Sequence, residues 1–499
     1  MRFLWNWGRS KGERRANAAA LVDEAPRGRH VDDRAREEIG ETIVAESSRR
    51  DALRLGAMVG GGVLAGFLAG QLGPRVVAAP GDGIGGTTIS DTDIDAKRIA
   101  GVRIATEFAP GKHAGTTADP WPGSAIQSAM ADLPASGGMV FLPSGVYSIA
   151  NPLTVSRSNV ILTGAGDSTY LRTDGSGFTP DRSGMIEING AFKGIVLEKL
   201  ALDGANTDTC RGVIIQGGSE VLVRGCTFLN WLGTLSQRGR GLTVVHNPGT
   251  EAPPHKGVRV ESCYFSNNQI GIVMHRTLYT ILNSYFERNV WDGMYMEGTA
   301  RGSIIGNIVT FAPRTGIFLI FTERETVVGN RVEDCGSGIQ VYEGRGMSIL
   351  GNQVERCTSA GIDVRPGPPP PDVGHCTISG NFVGYCSGVP GIQLLGDVNA
   401  CDVADNVLRA NRDGVASLGA TGTRIAGNVC RENTRAGIYV NDSTYTRILG
   451  NRAFRGPYGV LAAGTTDFLM VKDNDLRGNT TAAMSLVGTN RIVGDNWEA

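Results

Sequence analysis

The sequence predicts an all-β solenoid, a parallel β-helix in which three short strands form each coil of about 22 residues. An Ile/Val-rich phrase that ends in Gly-Asn recurs at this period along the C-terminal half of the chain. A second apolar segment, which begins with Gly, recurs between the copies. Glycine is abundant, at 71 of 499 residues, while hydrophobic residues make up an ordinary 41%. This combination is typical of many tight turns between short buried strands.

An asparagine anchors each copy of the phrase. In a turn between two strands, its side chain can bond the neighbouring backbone and the Asn of the next coil, and Asn tolerates the left-handed conformation of a sharp bend. We therefore interpret this column as a structural ladder. Its members are Asn307, Asn330, Asn352, Asn381, Asn406, Asn428, Asn451 and Asn474.

Three strands per coil follow from the pattern around each Asn. One apolar segment precedes it, as in SIIGN, and another apolar residue stands two positions after it. The Gly-led segment, such as GIFLI or GIDVR, completes the coil. Because side chains alternate along a strand, the second and fourth residues of a Gly-led strand should point inward and the third and fifth outward.

The nine cysteines contain no CxxC spacing that would indicate a metal or redox site. Several cysteines occupy equivalent positions on neighbouring coils. One such column contains Cys335, Cys357 and Cys386, and another contains Cys376 and Cys401. Adjacent coils lie within disulfide range, and export would permit pairing. We favour columns of small buried thiols over disulfides.

The N-terminal segment resembles a twin-arginine export signal. Arg49 and Arg50 follow Ser48, an uncharged run spans 55–74, and small residues stand at 78–79. The alternative is a membrane anchor through 55–74, which is long enough to cross a bilayer. We predict export by the twin-arginine translocase to the periplasm, the cell surface or the outside of the cell. The net charge of −1 gives no indication of a nucleic-acid partner.

The chain is accordingly divided into four parts. The prediction is a disordered charged leader at 1–45, the signal or anchor at 46–79, a linker at 80–110 and the β-helix at 111–499.

The stretch GSAIQSAMADLPASGGMVFLPSGVYSI, followed by VILTGAGDST, resembles the start of the pectate-lyase superfamily of right-handed β-helices. Its helix around 124–132 resembles the cap that covers the first coil in that family. The resemblance covers about residues 100–499 and implies a right-handed solenoid with an N-terminal capping helix. It also implies that the Gly-led strands form the sheet whose outer face is the sugar-binding cleft in the family's enzymes.

The outward positions of these strands bring ionisable and aromatic residues onto one strip across five coils. The strip consists of His275, Tyr295, Glu297, Tyr342, Asp363 and Arg365. Two insertions leave the same edge of this sheet, one starting at His246 and the other, rich in proline, spanning Pro366–His375. Insertions on one face of a solenoid often mark its binding face, so we expect them to flank the strip.

An acidic polysaccharide suits this strip. Proton abstraction beside a uronic carboxylate requires a base and a cation that neutralises the carboxylate, and β-elimination or epimerisation then requires a proton donor. The predicted catalytic residues are His275 as base, Arg365 as cation, Tyr295 as donor and Glu297. The predicted substrate-binding residues are Tyr342, Asp363, Arg276, Arg345 and His246.

Two alternatives remain open at this stage. A glycoside hydrolase of the same fold could pair Glu297 with Glu323 or Glu343. A noncatalytic carbohydrate-binding or cell-surface repeat protein would use the strip only as a solvated face, because fold does not imply function. We predict no cofactor and no bound metal; calcium, which lyases can use, has no supporting Asp cluster here.

Overall fold

The computed structural model describes residues 101–498, apart from residues 112, 176, 180–182, 207–209, 234–238, 246–256 and 368–372. The predicted leader, the export signal and His246 lie outside the described residues. So does the tetraproline core of the second insertion.

The described residues confirm the predicted right-handed parallel β-helix. Three long parallel sheets run the length of the solenoid, and each coil contributes one strand to each sheet. The Gly-led strands form sheet 1, the strands before the Asn turn form sheet 2, and the strands after that turn form sheet 3.

Sheet 1 has 14 strands: Leu153–Val155, Gly184–Asn189, Arg211–Gln216, Arg240–Val245, Ile270–His275, Asp292–Glu297, Thr315–Ile320, Ser337–Tyr342, Ala360–Arg365, Ile392–Leu395, Asp413–Leu418, Ala436–Asn441, Tyr458–Ala463 and Ala482–Ser485. Sheet 2 has 16 strands: Val102–Ile104, Gly138–Leu142, Val160–Gly164, Lys193–Glu198, Ser219–Arg224, Val258–Glu261, Tyr279–Leu282, Ser303–Ile305, Thr326–Val328, Ser348–Leu350, Thr377–Ser379, Asp402–Ala404, Arg424–Ala426, Arg447–Leu449, Leu469–Lys472 and Arg491–Gly494.

Sheet 3 has 14 strands: Trp121–Pro122, Gly145–Ile149, Thr169–Thr173, Ala201–Asp203, Thr227–Leu229, Tyr264–Ser266, Tyr285–Glu287, Ile308–Thr310, Arg331–Glu333, Gln353–Glu355, Phe382–Gly384, Val407–Arg409, Val429–Arg431 and Arg452–Phe454. A small additional pair joins Val373–Gly374 to Val398–Asn399. The first strand of sheet 2 lies inside the range 80–110 that the sequence assigned to the linker.

The core is a column of apolar side chains that repeats from coil to coil. In the strand Thr315–Ile320, Ile317 and Leu319 are fully buried, while Phe318 and Ile320 face outward and are only partly covered. On sheet 3 the rings of Phe228, Phe265 and Phe286 stack inside the solenoid with centroids 4.6 and 4.8 Å apart. This spacing matches the separation of neighbouring strands, so identical residues pack face to face.

The asparagine ladder is continuous through the turn between sheets 2 and 3. Oδ1 of Asn330 accepts hydrogen bonds from the backbone N–H and from Nδ2 of Asn307, at 2.9 and 3.0 Å. The Nδ2 group of Asn330 donates in turn to the Ile304 carbonyl oxygen and to Oδ1 of Asn352. Each buried amide therefore satisfies backbone groups of neighbouring coils, which removes the cost of burying them.

The prediction that the ladder asparagines take the left-handed conformation of this turn is wrong. The left-handed residue is the one before the asparagine, as in Gly306 with φ 64° and Gly329 with φ 63°. The ladder asparagines themselves do not have positive φ. Glycine makes the bend at no steric cost, and this leaves the Asn side chain free to point into the turn.

A second ladder runs through the turn that leads from sheet 3 to sheet 1. It begins with Asn268 and Asn289, is interrupted by Ala312, and resumes with Cys335, Cys357 and Cys386, followed by Asn411 and Asn433. The backbone N–H of Cys357 donates to Sγ of Cys386 at 3.4 Å. All nine cysteines are free and buried, as the preferred interpretation has it.

Helix α1, Gly123–Ala131, closes the N-terminal end of the solenoid. It buries Ala125, Ile126, Ala129 and Met130 against the first strands. The Gln127 side chain both donates to the carbonyl oxygen and accepts from the N–H of Thr154, at 3.2 and 2.8 Å. Thr154 lies in the edge strand of sheet 1, so Gln127 occupies backbone groups that would otherwise be open to another strand.

Two short 3₁₀ helices, Ala105–Phe108 and Gly166–Ser168, complete the helical content of the described residues. Across this part of the chain, the helices all fall short of the length and apolarity that a bilayer crossing would need.

Candidate functional site

Strand register places the predicted strip on two neighbouring rows of sheet 1. One row runs from His275 through Glu297, Ile320 and Tyr342 to Arg365. The next row runs through Tyr295, Phe318, Gln340 and Asp363. The polar residues fall into two groups separated by Ile320 and Phe318.

The first group is the histidine cluster, which we define as His275, Tyr295 and Glu297. Nδ1 of His275 lies 3.1 Å from Oε2 of Glu297, and the Tyr295 hydroxyl donates to the same oxygen at 3.2 Å. The ring centroids of His275 and Tyr295 are 6.2 Å apart. The side chains of His275 and Glu297 are 25% and 38% exposed, so both are open to a ligand.

Charge and burial separate the protonation states within this cluster. The hydrogen bond with His275 lowers the pKa of Glu297, and that with Tyr295 acts in the same direction. Burial and the neighbouring Glu297 raise the pKa of Tyr295 to about 12. Near neutral pH, Glu297 is therefore a carboxylate and Tyr295 a protonated phenol.

Arg314 is a functional candidate that the sequence analysis missed. Its guanidinium carbon lies 5.3 Å from the ring centroid of Phe318 and 5.8 Å from the centroids of both Tyr295 and Trp291. It stands just before a Gly-led strand, not at the third or fifth position, so the outward alternation did not select it. The sequence did contain a pattern that could have identified it: an Arg precedes a Gly-led strand here and again at Arg435, before AGIYVN.

Arg314 is held by a buried carboxylate on the neighbouring coil. Nε of Arg314 donates to Oδ1 of Asp292 at 2.9 Å, and Nη2 lies 2.7 Å from Oδ2. Asp292 is fully buried, while the Arg314 side chain is 46% exposed. Burial raises the pKa of Asp292 to about 6, against the opposing effect of Arg314. The pair fixes a cation at the edge of the histidine cluster.

The second group surrounds Asp363. This carboxylate pairs with Arg365 and accepts a 3.0 Å hydrogen bond from Nε2 of Gln340. Asp363 occupies an outward register position, yet its side chain is fully buried. Its neighbours on the sheet cover it, and burial raises its pKa. Asp363 therefore holds Arg365 in place and is not itself open to a substrate.

The structure does not bring His275 and Arg365 together. They lie four strands apart on one row, which corresponds to about 19 Å at the spacing of neighbouring strands. Arg365 therefore cannot neutralise a carboxylate on the sugar that His275 contacts. Tyr342 lies next to Arg365 in register.

The remaining predicted cations lie just beyond the strand ends. Arg276 follows His275 directly, and its backbone N–H donates to the Glu297 carbonyl oxygen at 3.0 Å. Arg345 lies in a short ladder of bridges between Glu323 and Gly374. His246 belongs to the segment outside the described residues.

Two family models match separate parts of the chain. Residues 254–388 match a model described as right handed beta helix region, and residues 372–497 match one described as periplasmic copper-binding protein. A search of curated protein sequences finds no match.

Several solved structures are similar to this chain at low sequence identity. The Dettilon tailspike protein gp208 is 18% identical over 66% of this chain and 66% of its own, with a TM-score of 0.53. This chain therefore spans about two thirds of the tailspike's length. The periplasmic alginate epimerase AlgG is 12% identical over 79% and 80%, with a TM-score of 0.37. The A-module of the Azotobacter vinelandii mannuronan C-5 epimerase AlgE6 is 18% identical over 80% and 99%, with a TM-score of 0.35.

The described residues contain no set of side chains that fits the copper named in the second family description. Over the described part of the chain, no three His, Cys, Asp or Glu side chains converge to hold a metal ion. The cysteines of the matched region are buried inside the solenoid. Soft thiolate and imidazole ligands would be expected to converge at a copper site.

Proposed function

We propose that the outer face of sheet 1 binds a uronic-acid polysaccharide, and that the histidine cluster catalyses β-elimination or C5 epimerisation on it. One observation carries the proposal: a carboxylate oxygen of Glu297 accepts from both His275 and Tyr295 on an exposed strip. The arrangement offers a base and an acid side by side.

His275 is the proposed base. Glu297 engages Nδ1, which favours the tautomer with the proton on Nδ1 and leaves a lone pair on Nε2. Orientation by a carboxylate also stabilises the imidazolium that forms when Nε2 accepts a proton. Glu297 is therefore a positioning residue, and its lowered pKa suits this role better than that of a general acid in a hydrolase.

Arg314 replaces Arg365 as the proposed cation that neutralises the uronic carboxylate. Removal of the C5 proton places negative charge on the uronic carboxylate, and a fixed cation stabilises that charge. Arg314 is half exposed, lies over the Tyr295 ring and is held by Asp292. The apolar faces of Phe318 and Trp291 beside it provide flat surfaces for a sugar ring.

Tyr295 is the proposed acid because its pKa of about 12 keeps it protonated. In β-elimination, His275 takes the C5 proton, the C4–O4 bond breaks, C4 and C5 become doubly bonded, and Tyr295 protonates O4. In epimerisation, C5 takes a proton from solvent on the face opposite to the one His275 deprotonated, and the chain stays intact. Both sequences return the enzyme to its starting state after the protons exchange with solvent.

The second group fits the binding of a chain, not of a single sugar. Tyr342 and Arg365 lie three and four strands from His275 along the same row. An extended acidic polysaccharide laid along the solenoid axis would reach both groups. Arg365, tethered by Asp363, would bind the carboxylate of a sugar several units away.

Such a substrate belongs outside the cytoplasm. The match to a family described as periplasmic supports export, in line with the twin-arginine signal and translocase that the sequence suggests. The route and the membrane anchor rest on residues 46–79.

The test is a substrate panel on the purified full-length protein. Alginate, polygalacturonate and hyaluronan would be incubated and followed by absorbance of the unsaturated product, by reducing ends and by proton NMR of the sugar composition. Unsaturated ends indicate a lyase, and changed composition without cleavage indicates an epimerase. Reducing ends without unsaturation would show a hydrolase, and binding without any product would show a noncatalytic protein; either result contradicts the proposal.

A further inference from the structure

A separate cavity lies on the outer face of sheet 2, near the C-terminal end of the solenoid. Its volume is about 660 Å³, within the range of small-ligand sites. Tyr445, Phe468, Arg447, Arg491, Met470 and Ile492 line it. Register runs from Arg447 through Met470 to Ile492 on successive strands of sheet 2, so this cavity is on a different face from the histidine cluster.

An aromatic pair forms one wall. The rings of Tyr445 and Phe468 are stacked with centroids 4.5 Å apart and planes within 9°. Both rings remain about half exposed, at 55% and 45%. The preceding coil has Gly422 at this turn, which also lines the cavity and has no side chain to cover the Tyr445 ring. One aromatic face is thus left open to a ligand.

Two arginines supply the charge. The backbone N–H of Arg447 donates to the Thr423 carbonyl oxygen, while its guanidinium has no hydrogen-bond or ion-pair partner among the described residues. Arg491 donates Nη1 to the Leu486 carbonyl oxygen at 2.7 Å and has no carboxylate partner in this part of the chain. The nearby carboxylate of Asp467 already accepts hydrogen bonds from Asn490 and Thr489. Asp467 keeps its negative charge beside the cavity, but it forms no ion pair with either arginine, so both guanidinium groups remain available to an anionic ligand.

This contrasts with the same row one coil earlier. Arg424 precedes Arg447 in register, and its Nη1 donates to both oxygens of Asp402, at 2.8 and 3.1 Å. Arg424 does not line the cavity. The arginine outside the cavity thus has a carboxylate partner, and the guanidinium inside the cavity has none.

We propose that this cavity is a second, noncatalytic binding site for an acidic sugar residue, a hexuronate of the same class of polysaccharide. The stacked ring wall fits the apolar face of a pyranose, and Arg447 fits its carboxylate. The inference rests on the proposed function for its substrate class. It places a chain-holding site on a second face, away from the reacting residues.

Titration calorimetry on the full-length protein tests this site. The His275→Ala background prevents turnover, and the probes are alginate and polygalacturonate hexasaccharides with cellohexaose as the neutral control. Arg447→Gln and Tyr445→Gly would each be added to this background. Tyr445→Gly copies the glycine of the preceding coil, so the turn is retained. Arg424→Gln is the matched arginine control.

We expect two binding events per chain for an acidic hexasaccharide and none for cellohexaose. Arg447→Gln and Tyr445→Gly each remove one event or weaken it at least tenfold, while Arg424→Gln changes neither. Equal binding in the background and in both cavity variants overturns the proposal, as does the absence of any acidic-sugar binding.

The two proposals fail separately. Turnover in protein that retains His275, together with unchanged binding in Arg447→Gln, removes the cavity site alone. Binding that depends on Arg447, in a protein without turnover, removes the catalytic proposal alone.

Discussion

Nδ1 of His275 lies 3.1 Å from Oε2 of Glu297, and the two residues occupy the same position on adjacent coils of sheet 1. Strand register alone brings them together, because equivalent positions on neighbouring coils stack at the strand spacing. The repeat of the solenoid thus places the proposed base beside the carboxylate that orients it.

Glu297→Gln should lower turnover of a uronic polysaccharide by about 10²- to 10⁴-fold, the size of a general-base contribution, because His275 loses the carboxylate that orients it. The amide can present the wrong group to Nδ1, so the Nε2 lone pair is no longer fixed. The measurement is kcat together with its pH profile. Glu355→Gln, an acid on the outer face of sheet 3, should leave kcat unchanged. Equal kcat in Glu297→Gln and the wild type would remove Glu297 from the mechanism.

Arg314→Gln should reduce kcat/KM by about 10²-fold or more, because a fixed cation no longer stabilises the developing charge. The substitution also leaves Asp292 buried without its partner, so stability has to be measured alongside. The double variant Asp292→Asn/Arg314→Gln removes the unpaired charge and should recover the thermal midpoint without recovering activity. Recovery of both would show that Arg314 acts only on stability.

Asp292 should make stability depend on pH. Its pKa is raised from 3.8 to about 6, so the folded state favours the protonated form. The stabilisation is complete below the unfolded pKa and is lost as the pH rises through about 6. The loss should be on the order of 3 kcal/mol. Asp292→Asn should reduce the change of the denaturation midpoint with pH between pH 4 and 7. An unchanged pH dependence would contradict the assignment to Asp292.

Asn352→Ala should interrupt the ladder at its centre. It removes the acceptor for the N–H and Nδ2 of Asn330 and the donor to the Val327 carbonyl oxygen, all buried. Each unsatisfied group costs about 1–3 kcal/mol, so we expect a loss of several kcal/mol by chemical denaturation. Asn441→Ala, an Asn bonded to Asp442 on the surface, serves as the control. Similar midpoints for the two variants would argue against the ladder as a main source of stability.

The cysteines should be inert in the native state. All nine thiols are free and buried, which closes them to a reagent, and burial also raises the pKa of Cys335 and Cys430 to about 12. A thiol reagent should therefore label nothing until denaturant is added, and reductant should leave the thermal midpoint unchanged. Rapid native labelling, or a midpoint that falls on reduction, would contradict this.

Much of the fold was predictable because the solenoid repeats its local rules. The spacing of Asn307, Asn330 and Asn352 marks each coil, and the alternation in GIFLI separates inward from outward side chains. The left-handed conformation was predicted for the Asn of each turn, but the preceding residue adopts it. Either residue of a Gly-Asn pair can take that conformation, so the sequence pattern did not decide between them.

The site was harder to predict, because the spacing of the repeats shows which residues stack on neighbouring strands but not which side chains contact or cover one another. Alternation selected His275, Tyr295 and Glu297, which the structure brings together. It also selected Asp363, whose burial depends on the covering side chains around it, and it overlooked Arg314. Arg314 lies in the turn before its strand, and the inward–outward alternation of strand residues makes no prediction for turn residues.

Hydrogen exchange at C5 of the sugar tests directly whether His275 abstracts that proton. The full-length protein would be incubated with alginate or polygalacturonate in deuterated water, and deuterium at C5 and unsaturated ends would be read by NMR and mass spectrometry. We expect deuterium at C5 or an unsaturated product, lost in His275→Ala and retained in Arg424→Gln. No exchange and no product with either polymer, or equal exchange in His275→Ala, would rule out proton abstraction by His275.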